Sequence, residues 1–202
     1  MVGVGGLLGG GALAELRRRY AEPHGAHHTW THVAEMLALA EEVLNGIADR
    51  QAFILGLLFR DAVCRPGRAD GAAEGARLMR ALLGRRVPEP ILARAESMIL
   101  AAARHQVAET PDPSLRGDSA LFADIGLAVL GAEEARYDAY EAALRREHAH
   151  LRDDAWGAGR SASLQMLLWR DRIYLTDRFF LDREKRARRN LARAIARLRG
   201  TE

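Results

Sequence analysis

Apolar residues recur at intervals of three and four along most of this chain, which is the spacing of one face of an α-helix. The clearest such segment contains Val33, Met36, Leu37, Ala40, Val43 and Leu44. Asn45 and Gly46 follow it, and both are typical of the end of a helix. Because no segment alternates convincingly with a period of two, the pattern predicts an all-α protein.

Prolines at positions 23, 66, 88, 90, 111 and 113 divide the chain into segments of helical length. The predicted helices cover residues 12–21, 33–44, 51–63, 71–84, 90–106, 118–131, 133–152, 159–180 and 181–199. The segment 51–63 is apolar nearly all round until Phe59, which predicts a central, buried helix. Asp118 and Ser119 are typical N-cap residues and predict the start of the helix over 118–131.

The length of 202 residues predicts one domain with a single core, which we assign to residues 12–202. Six glycines in the first eleven residues predict a flexible lead over 1–11. This lead lacks the basic segment that opens a signal peptide. The composition, with 49% hydrophobic and 6% aromatic residues, also favours a helical protein.

Charge and cysteine content narrow the expected partners and location. The net charge is +3, but Lys185 is the only lysine, so the arginine excess is weak evidence for nucleic acid, which we do not expect as a partner. The arginines of 183–199 accompany an apolar stripe and predict a solvated helix face. Cys64 is the only cysteine, and the apolar run 52–59 is too short to span a bilayer. We therefore expect a soluble, cytoplasmic protein with no membrane partner.

Histidines cluster in the segment AEPHGAHHTWTH, residues 21–32. His28 and His32 are four residues apart, the spacing at which two imidazoles on one helix can ligate the same metal ion. The alternative is that 24–28 form a solvated loop before a helix, with Pro23 setting its direction.

Further polar candidates lie within apolar segments. Arg60 and Asp61 end the most apolar segment, where a buried charge needs a partner or a ligand. Alternatively, that helix surfaces in its last turn, and Arg60 interacts with the helix dipole. His105 and Asp124 are either site residues or hydrogen-bonded structural residues.

Six segments, taken in order, carry a resemblance to a known family. They read RYAEPHGAHHTWTHV, LLFRDAV, MILAAARH, LFADIGLAVLGAEEARYDAYEAALRREH, GAGRSASLQMLLWRDRIY and EKRARRNLARAIARL. The set resembles the predicted metal-dependent phosphohydrolases of the HD superfamily, in the group of about 200 residues with the motifs Y-x-E-P-H and F-H-D-A-V. The resemblance covers roughly residues 15–199.

This resemblance implies an HD-domain-like helical bundle that holds a divalent metal (Mn, Fe, Co, Ni, Zn or Mg) and hydrolyses a phosphate ester by a metal-bound water. The metal would be held by a first histidine, an adjacent His-Asp pair and a later aspartate. His32 matches the first histidine, with His28 in the preceding motif, and Asp61 matches the aspartate of the pair. Asp124 begins the segment that matches the later motif D-A-D-L.

Two ligand positions depart from the family pattern. Arg60 replaces the histidine of the pair, and Gly126 replaces the second aspartate of the later motif. A guanidinium has no lone pair to give to a metal. At about 4 Å and an effective dielectric constant of about 20, its repulsion of a divalent ion costs about 8 kcal/mol. A metal-free pocket with Arg60 would instead suit a phosphate or carboxylate.

Three functions follow from these residues. The first is an HD-like protein with an eroded metal site that binds a small phosphorylated ligand or a partner, with little or no hydrolysis. The second is an active phosphohydrolase for phosphomonoesters or nucleotides, with a rearranged metal site built from His28, His32, Asp61, His105 and Asp124. The third is a non-catalytic helical interaction module. In the enzymatic case, Asp61, His105 and Arg60 are the candidate catalytic residues.

Overall fold

Helices account for all the regular secondary structure that this computed structural model contains within residues 4–23, 25–64, 67–68 and 70–200, the part of the chain it describes. The α-helices are α1 (Val4–Arg19), α2 (Trp30–Glu42), α3 (Arg50–Phe59), α4 (Gly71–Leu83), α5 (Glu89–Ala103), α6 (Pro113–Leu127), α7 (Glu134–Glu147), α8 (Asp153–Leu168) and α9 (Asp177–Arg199). Short 3-10 helices lie at Leu44–Gly46 and Ala128–Gly131. The prediction of an all-α protein is confirmed.

The chain divides into two compact units between Ile125 and Gly126. The domain predicted over 12–202 spans both units and stays a prediction. Of the predicted flexible lead, residues 1–3 lie outside the described residues, and residues 4–11 belong to α1. Gly9 interrupts that helix with a φ of 72°, in the left-handed region that glycine adopts without steric cost.

In the first unit, α3 is the central helix. Seven of its ten residues are buried, and it packs against α2, α4 and α5, as its continuous apolar sequence predicts. The helix begins after Asp49, whose side chain accepts a hydrogen bond from the Ala52 N–H at 2.9 Å. It ends at Phe59, four residues earlier than predicted, so Arg60 and Asp61 lie in the turn that follows.

Helix α4 approaches the end of α3 most closely at Gly75. A Cβ atom at this position would lie 2.3 Å from the carbonyl oxygen of Phe59, which is backbone and cannot rotate away. We expect Gly75→Ala to lower the free energy of unfolding by about 2 kcal/mol, because the two helices must separate. Gly117 in α6 is exposed, and a Cβ atom there would meet no neighbouring atom within 4 Å, so Gly117→Ala should raise stability by about 0.5–1 kcal/mol. Urea denaturation of both variants measures these changes. If Gly75→Ala stabilised the protein as much as Gly117→Ala, the close approach between Gly75 and the Phe59 carbonyl would be contradicted.

The predicted start of α6 is wrong. The helix begins at Pro113, and Asp118, predicted as an N-cap residue, lies inside it with 1% of its surface exposed. Its carboxylate accepts hydrogen bonds from the backbone N–H groups of Ala48 and Asp49, at 2.8 and 2.9 Å. Asp118 therefore anchors the start of α3 instead of the start of its own helix.

In the second unit, α8 and α9 pack together, and α9 also packs against the 3-10 helix Ala128–Gly131. The predicted helix 159–180 is wrong at both ends, since α8 covers Asp153–Leu168 and a non-helical segment precedes α9. The buried carboxylate of Glu184 fixes that segment, because it accepts hydrogen bonds from the backbone N–H groups of Ile173 and Tyr174 at 3.1–3.2 Å.

The arginines of α9 are extensively paired within this unit. Arg186 contacts Glu133 at 2.7 Å, and Arg193 contacts Asp138 at 2.8 Å. Arg188 donates to Glu184 at 2.8 Å and to the carbonyl of Arg170 at 2.7 Å. Much of the basic sequence therefore serves to join helices. Among the described residues, no helix combines the length and the hydropathy needed to cross a bilayer.

Candidate functional site

The loop between α1 and α2 brings the histidine-rich segment to the end of α3. Tyr20 follows α1, is buried, and donates its hydroxyl to the carbonyl of Leu58 at 3.0 Å. The loop then turns through a hydrogen bond from the Gly25 N–H to the Glu22 carbonyl at 3.0 Å, and α2 begins after Thr29. His24 lies outside the described residues. This path places His32 in the first turn of α2 with 9% of its side chain exposed.

Three of the predicted site residues meet at the end of α3. The Nε2 atom of His32 lies 3.8 Å from Oδ2 of Asp61, and Nε of Arg60 lies 3.1 Å from the same oxygen. Arg60 occupies the C-cap of α3, and only 18% of its side chain is exposed. Its guanidinium lies over the ring of Phe122, 5.5 Å from the centroid, within the range of a cation–π contact. Arg60 thus both caps α3 and lies largely buried.

His27 and Cys64 complete this cluster, and the sequence did not single out either as a ligand. The ring of His27 packs 4.2 Å from that of His32 and 4.8 Å from that of His28. Nδ1 of His28 lies 3.3 Å from Sγ of Cys64. No spacing rule in the sequence points to Cys64, because it lies in the non-helical segment after α3.

Burial and neighbouring charges set the protonation states of His32 and Asp61 at the centre of the site. Burial is the main cause that lowers the pKa of His32 from 6.5 to about 4, although Asp61 opposes the shift. Burial alone would raise the pKa of Asp61, but Arg60 and the nearby histidines together lower it to about 2. At neutral pH, His32 is therefore neutral and Asp61 is ionised beside the Arg60 cation.

A cavity of about 160 Å³ opens beside this cluster. Its lining includes Arg60, Asp61, Cys64, Arg68, Gly71 and Ala72. A second cavity of about 420 Å³ shares Arg68 and Gly71 with the first and adds Arg19 and Arg77. Arg68 is itself paired with Asp70, its Nε donating at 2.9 Å. The two cavities together are large enough for a small organic ligand.

Three buried polar atoms in the cluster have no hydrogen-bond partner among the described residues. They are Nδ1 of His32, Nη1 of Arg60 and Oδ2 of Asp61. Oδ2 of Asp61 has a charged neighbour, Nε of Arg60 at 3.1 Å, but the geometry of this contact does not meet that of a hydrogen bond. Buried polar groups are almost always hydrogen-bonded, so three such atoms at one site indicate a place for a ligand or for ordered water.

The other two predicted site residues, His105 and Asp124, also belong to the first unit. His105 is exposed in the turn after α5, with a backbone φ of 53°. Asp124 is completely buried within α6. Neither residue is part of the lining of the 160 Å³ cavity. The structure thus brings His28, His32, Arg60 and Asp61 together, whereas His105 and Asp124 do not line this cavity.

The donor set does not fit the metal ion that the family resemblance implies. Within the described residues of the first unit, no three histidine, cysteine or acidic side chains bring ligand atoms within 4.8 Å of one another. A divalent ion on Oδ2 of Asp61 would also face the Arg60 guanidinium, whose Nε is 3.1 Å from that oxygen. The site is instead an imidazole and carboxylate cluster with a built-in cation.

Comparison with protein-family models, curated proteins and solved structures finds no match for this chain.

Proposed function

We propose that the first unit binds a small phosphorylated ligand at the Arg60 cavity, with little or no metal-dependent hydrolysis. The observation that carries this proposal is Nη1 of Arg60, a charged donor that is buried and has no hydrogen-bond partner among the described residues. A phosphoryl oxygen is a strong, charged acceptor for such a donor, and the planar guanidinium can present two N–H groups to a phosphate.

The orientation of Arg60 supports this assignment. Its Nε edge faces Asp61, while the Phe122 ring supports one face of the guanidinium. Both contacts restrict the side chain before any ligand arrives, so less conformational entropy is lost on binding. Asp61 opposes an anion, but its charge is balanced by Arg60, and Arg68 in the cavity wall is itself paired with Asp70.

The sizes of the two cavities match the two parts of such a ligand. The volume of about 160 Å³ beside Arg60 suits a phosphoryl group, and the adjoining volume of about 420 Å³ has room for the group it esterifies. The lining of the second cavity carries three arginines and two carboxylates, those of Asp70 and Glu74, which leaves a net charge of +1 along this path. The family resemblance is consistent with a phosphorylated ligand, and an HD-like bundle is part of the same proposal.

Ligand-induced stabilisation tests the role of Arg60. We expect adenosine monophosphate to raise the Tm of the wild-type protein, and Arg60→Gln to weaken its binding about tenfold to a hundredfold. Arg60→Lys should recover only part of the affinity, because lysine keeps the charge and loses the planar pair of donors. Arg104→Gln, at the exposed C-cap of α5, is the matched control and should bind like the wild type. Differential scanning fluorimetry over a range of ligand concentrations gives the affinities.

The other two functions predict different results, in this experiment or in measurements of metal content and hydrolysis. A stoichiometric transition metal in the purified protein, with phosphomonoester hydrolysis that Asp61→Ala abolishes, would replace our proposal with an active, rearranged metal site. Equal stabilisation of wild type and Arg60→Gln by the nucleotide would exclude the Arg60 cavity. No stabilisation by adenosine monophosphate or inorganic phosphate would favour a helical interaction module.

A further inference from the structure

A third, larger cavity in the first unit has a different chemical character. It has a volume of about 630 Å³ and is lined mainly by apolar side chains from α1, α2 and α3 and from the segments that follow α2 and α4. Its apolar walls include Leu7, Leu37, Ala40, Leu44, Ile54 and Val87. Four of these, the leucines and Ile54, are only partly buried by the fold. A partly exposed apolar surface of this concave form is typical of a ligand pocket.

Two arginines at this cavity carry charges that the fold does not neutralise. Arg50 and Arg86 both line the cavity and are exposed, and neither forms an ion pair within the described residues. Glu41 is the acidic residue in the lining, and it lies beyond ion-pair distance of both arginines. The described lining therefore has two cations and one anion, which leaves a net charge of +1.

The backbone of α1 makes room for one of these arginines. At Gly9, where α1 is interrupted, a Cβ atom would lie 2.0 Å from Nη1 of Arg86. The absence of a side chain at Gly9 thus allows the Arg86 guanidinium to lie against α1, next to the Leu7 wall of the cavity. Arg50, the first residue of α3, stands where the positive end of the helix dipole disfavours a cation and favours an anion.

We propose that this cavity binds an aliphatic carboxylate, with the hydrocarbon chain along the apolar walls and the carboxylate at Arg50 and Arg86. Gln51 is the one neutral side chain in the described lining that can form hydrogen bonds, which is few for a sugar or a nucleobase, whereas the apolar walls match a hydrocarbon chain. The unpaired guanidinium groups match a single carboxylate, with which arginine forms two parallel hydrogen bonds. This site is separate from the Arg60 cavity and does not depend on the function proposed for it.

Decanoate and octanoate, used below their micellar concentrations, are the probes for the full-length protein. Titration calorimetry should show one equivalent of decanoate bound about fifteenfold more tightly than octanoate, because each of the two additional buried methylenes contributes about fourfold. The double variant Arg50→Gln/Arg86→Gln should lose about tenfold in affinity for decanoate. Glu41→Gln should gain about threefold, because it removes the negative charge that faces the carboxylate.

The control variant and the neutral ligand separate this mechanism from nonspecific binding. Arg85→Gln removes an exposed arginine that is outside the cavity lining, and it should bind decanoate like the wild type. 1-Decanol should bind the wild type and the double variant equally, since it carries no charge. Equal binding of decanoate and octanoate, or an unchanged affinity for decanoate in the double variant, would overturn the proposal. If the double variant failed to fold, an unchanged affinity in Glu41→Gln would also overturn it.

Discussion

Asp118→Ala is expected to lower the free energy of unfolding by about 3 kcal/mol, the largest effect of any single substitution proposed for this protein. Its buried carboxylate accepts from the N–H groups of Ala48 and Asp49, at 2.8 and 2.9 Å. Hydrogen bonds to a charged group contribute about 1.5–3 kcal/mol each, and removal of the acceptor leaves both donors without it. Nη2 of Arg94, 3.6 Å from the carboxylate, also loses a neighbouring charge.

Two variants distinguish this anchoring role from a simple loss of charge. Asp118→Asn keeps one carbonyl oxygen as an acceptor and should lose about half as much stability. Glu109→Ala removes an exposed carboxylate from the segment before α6 and should change stability by less than about 0.5 kcal/mol. Guanidinium chloride denaturation gives the three values. An Asp118→Ala protein as stable as the Glu109→Ala protein would show that α3 does not depend on this anchor.

The pH dependence of stability should identify His32 as the buried, neutral base of the site. The folded pKa of about 4 lies below the unfolded value of about 6.5. Above pH 6.5 the side chain is neutral in both states and has no effect. As the pH falls from 6.5 towards 4, the unfolded chain gains a proton that the folded chain does not, so stability is lost. At pH 4.5 this loss amounts to about 2–3 kcal/mol relative to pH 7.5.

Substitution of His32 should remove this part of the pH dependence. We expect the stability of His32→Asn to fall by about 2–3 kcal/mol less than that of the wild type between pH 7.5 and 4.5, as measured by urea denaturation at each pH. Asp61 does not contribute in this range, because its pKa is lowered to about 2 and its stabilisation is lost only below about pH 3.8. His150→Asn, a substitution of an exposed histidine, should follow the wild-type curve. Parallel curves for His32→Asn and wild type would contradict the buried, neutral assignment.

The helical class and the central position of α3 could be predicted from local sequence. A period of three to four residues requires only that one face of each helix be buried, and a continuous apolar run leaves α3 no solvent-facing side. Helix ends were less predictable. Aspartate is a typical N-cap residue, but the carboxylate of Asp118 accepts hydrogen bonds from backbone N–H groups just before α3, about 70 residues earlier in the chain. Local propensity carries no information about such a distant partner.

The candidate site was only partly predictable for the same reason. The adjacency of Arg60 and Asp61 and the polarity of the pair are visible in the sequence, and so is the four-residue spacing of His28 and His32. The contact between His32 and Asp61 joins residues 29 positions apart. His27 and Cys64 entered the cluster with no spacing rule that would have placed them there, since a loop without helical period carries them.

Residue pattern alone specifies that this chain forms helices, that α3 is buried, and that a fixed cation stands beside Asp61 at its end. Packing specifies the rest. The turn after Phe59 keeps Arg60 largely buried over Phe122, and the loop after Tyr20 carries His32 to Asp61. Burial then lowers the pKa of His32 and leaves Nη1 of Arg60 without a partner among the described residues. The physical reason is that desolvation and hydrogen-bond satisfaction depend on every neighbouring atom, whereas helix formation depends mainly on local periodicity.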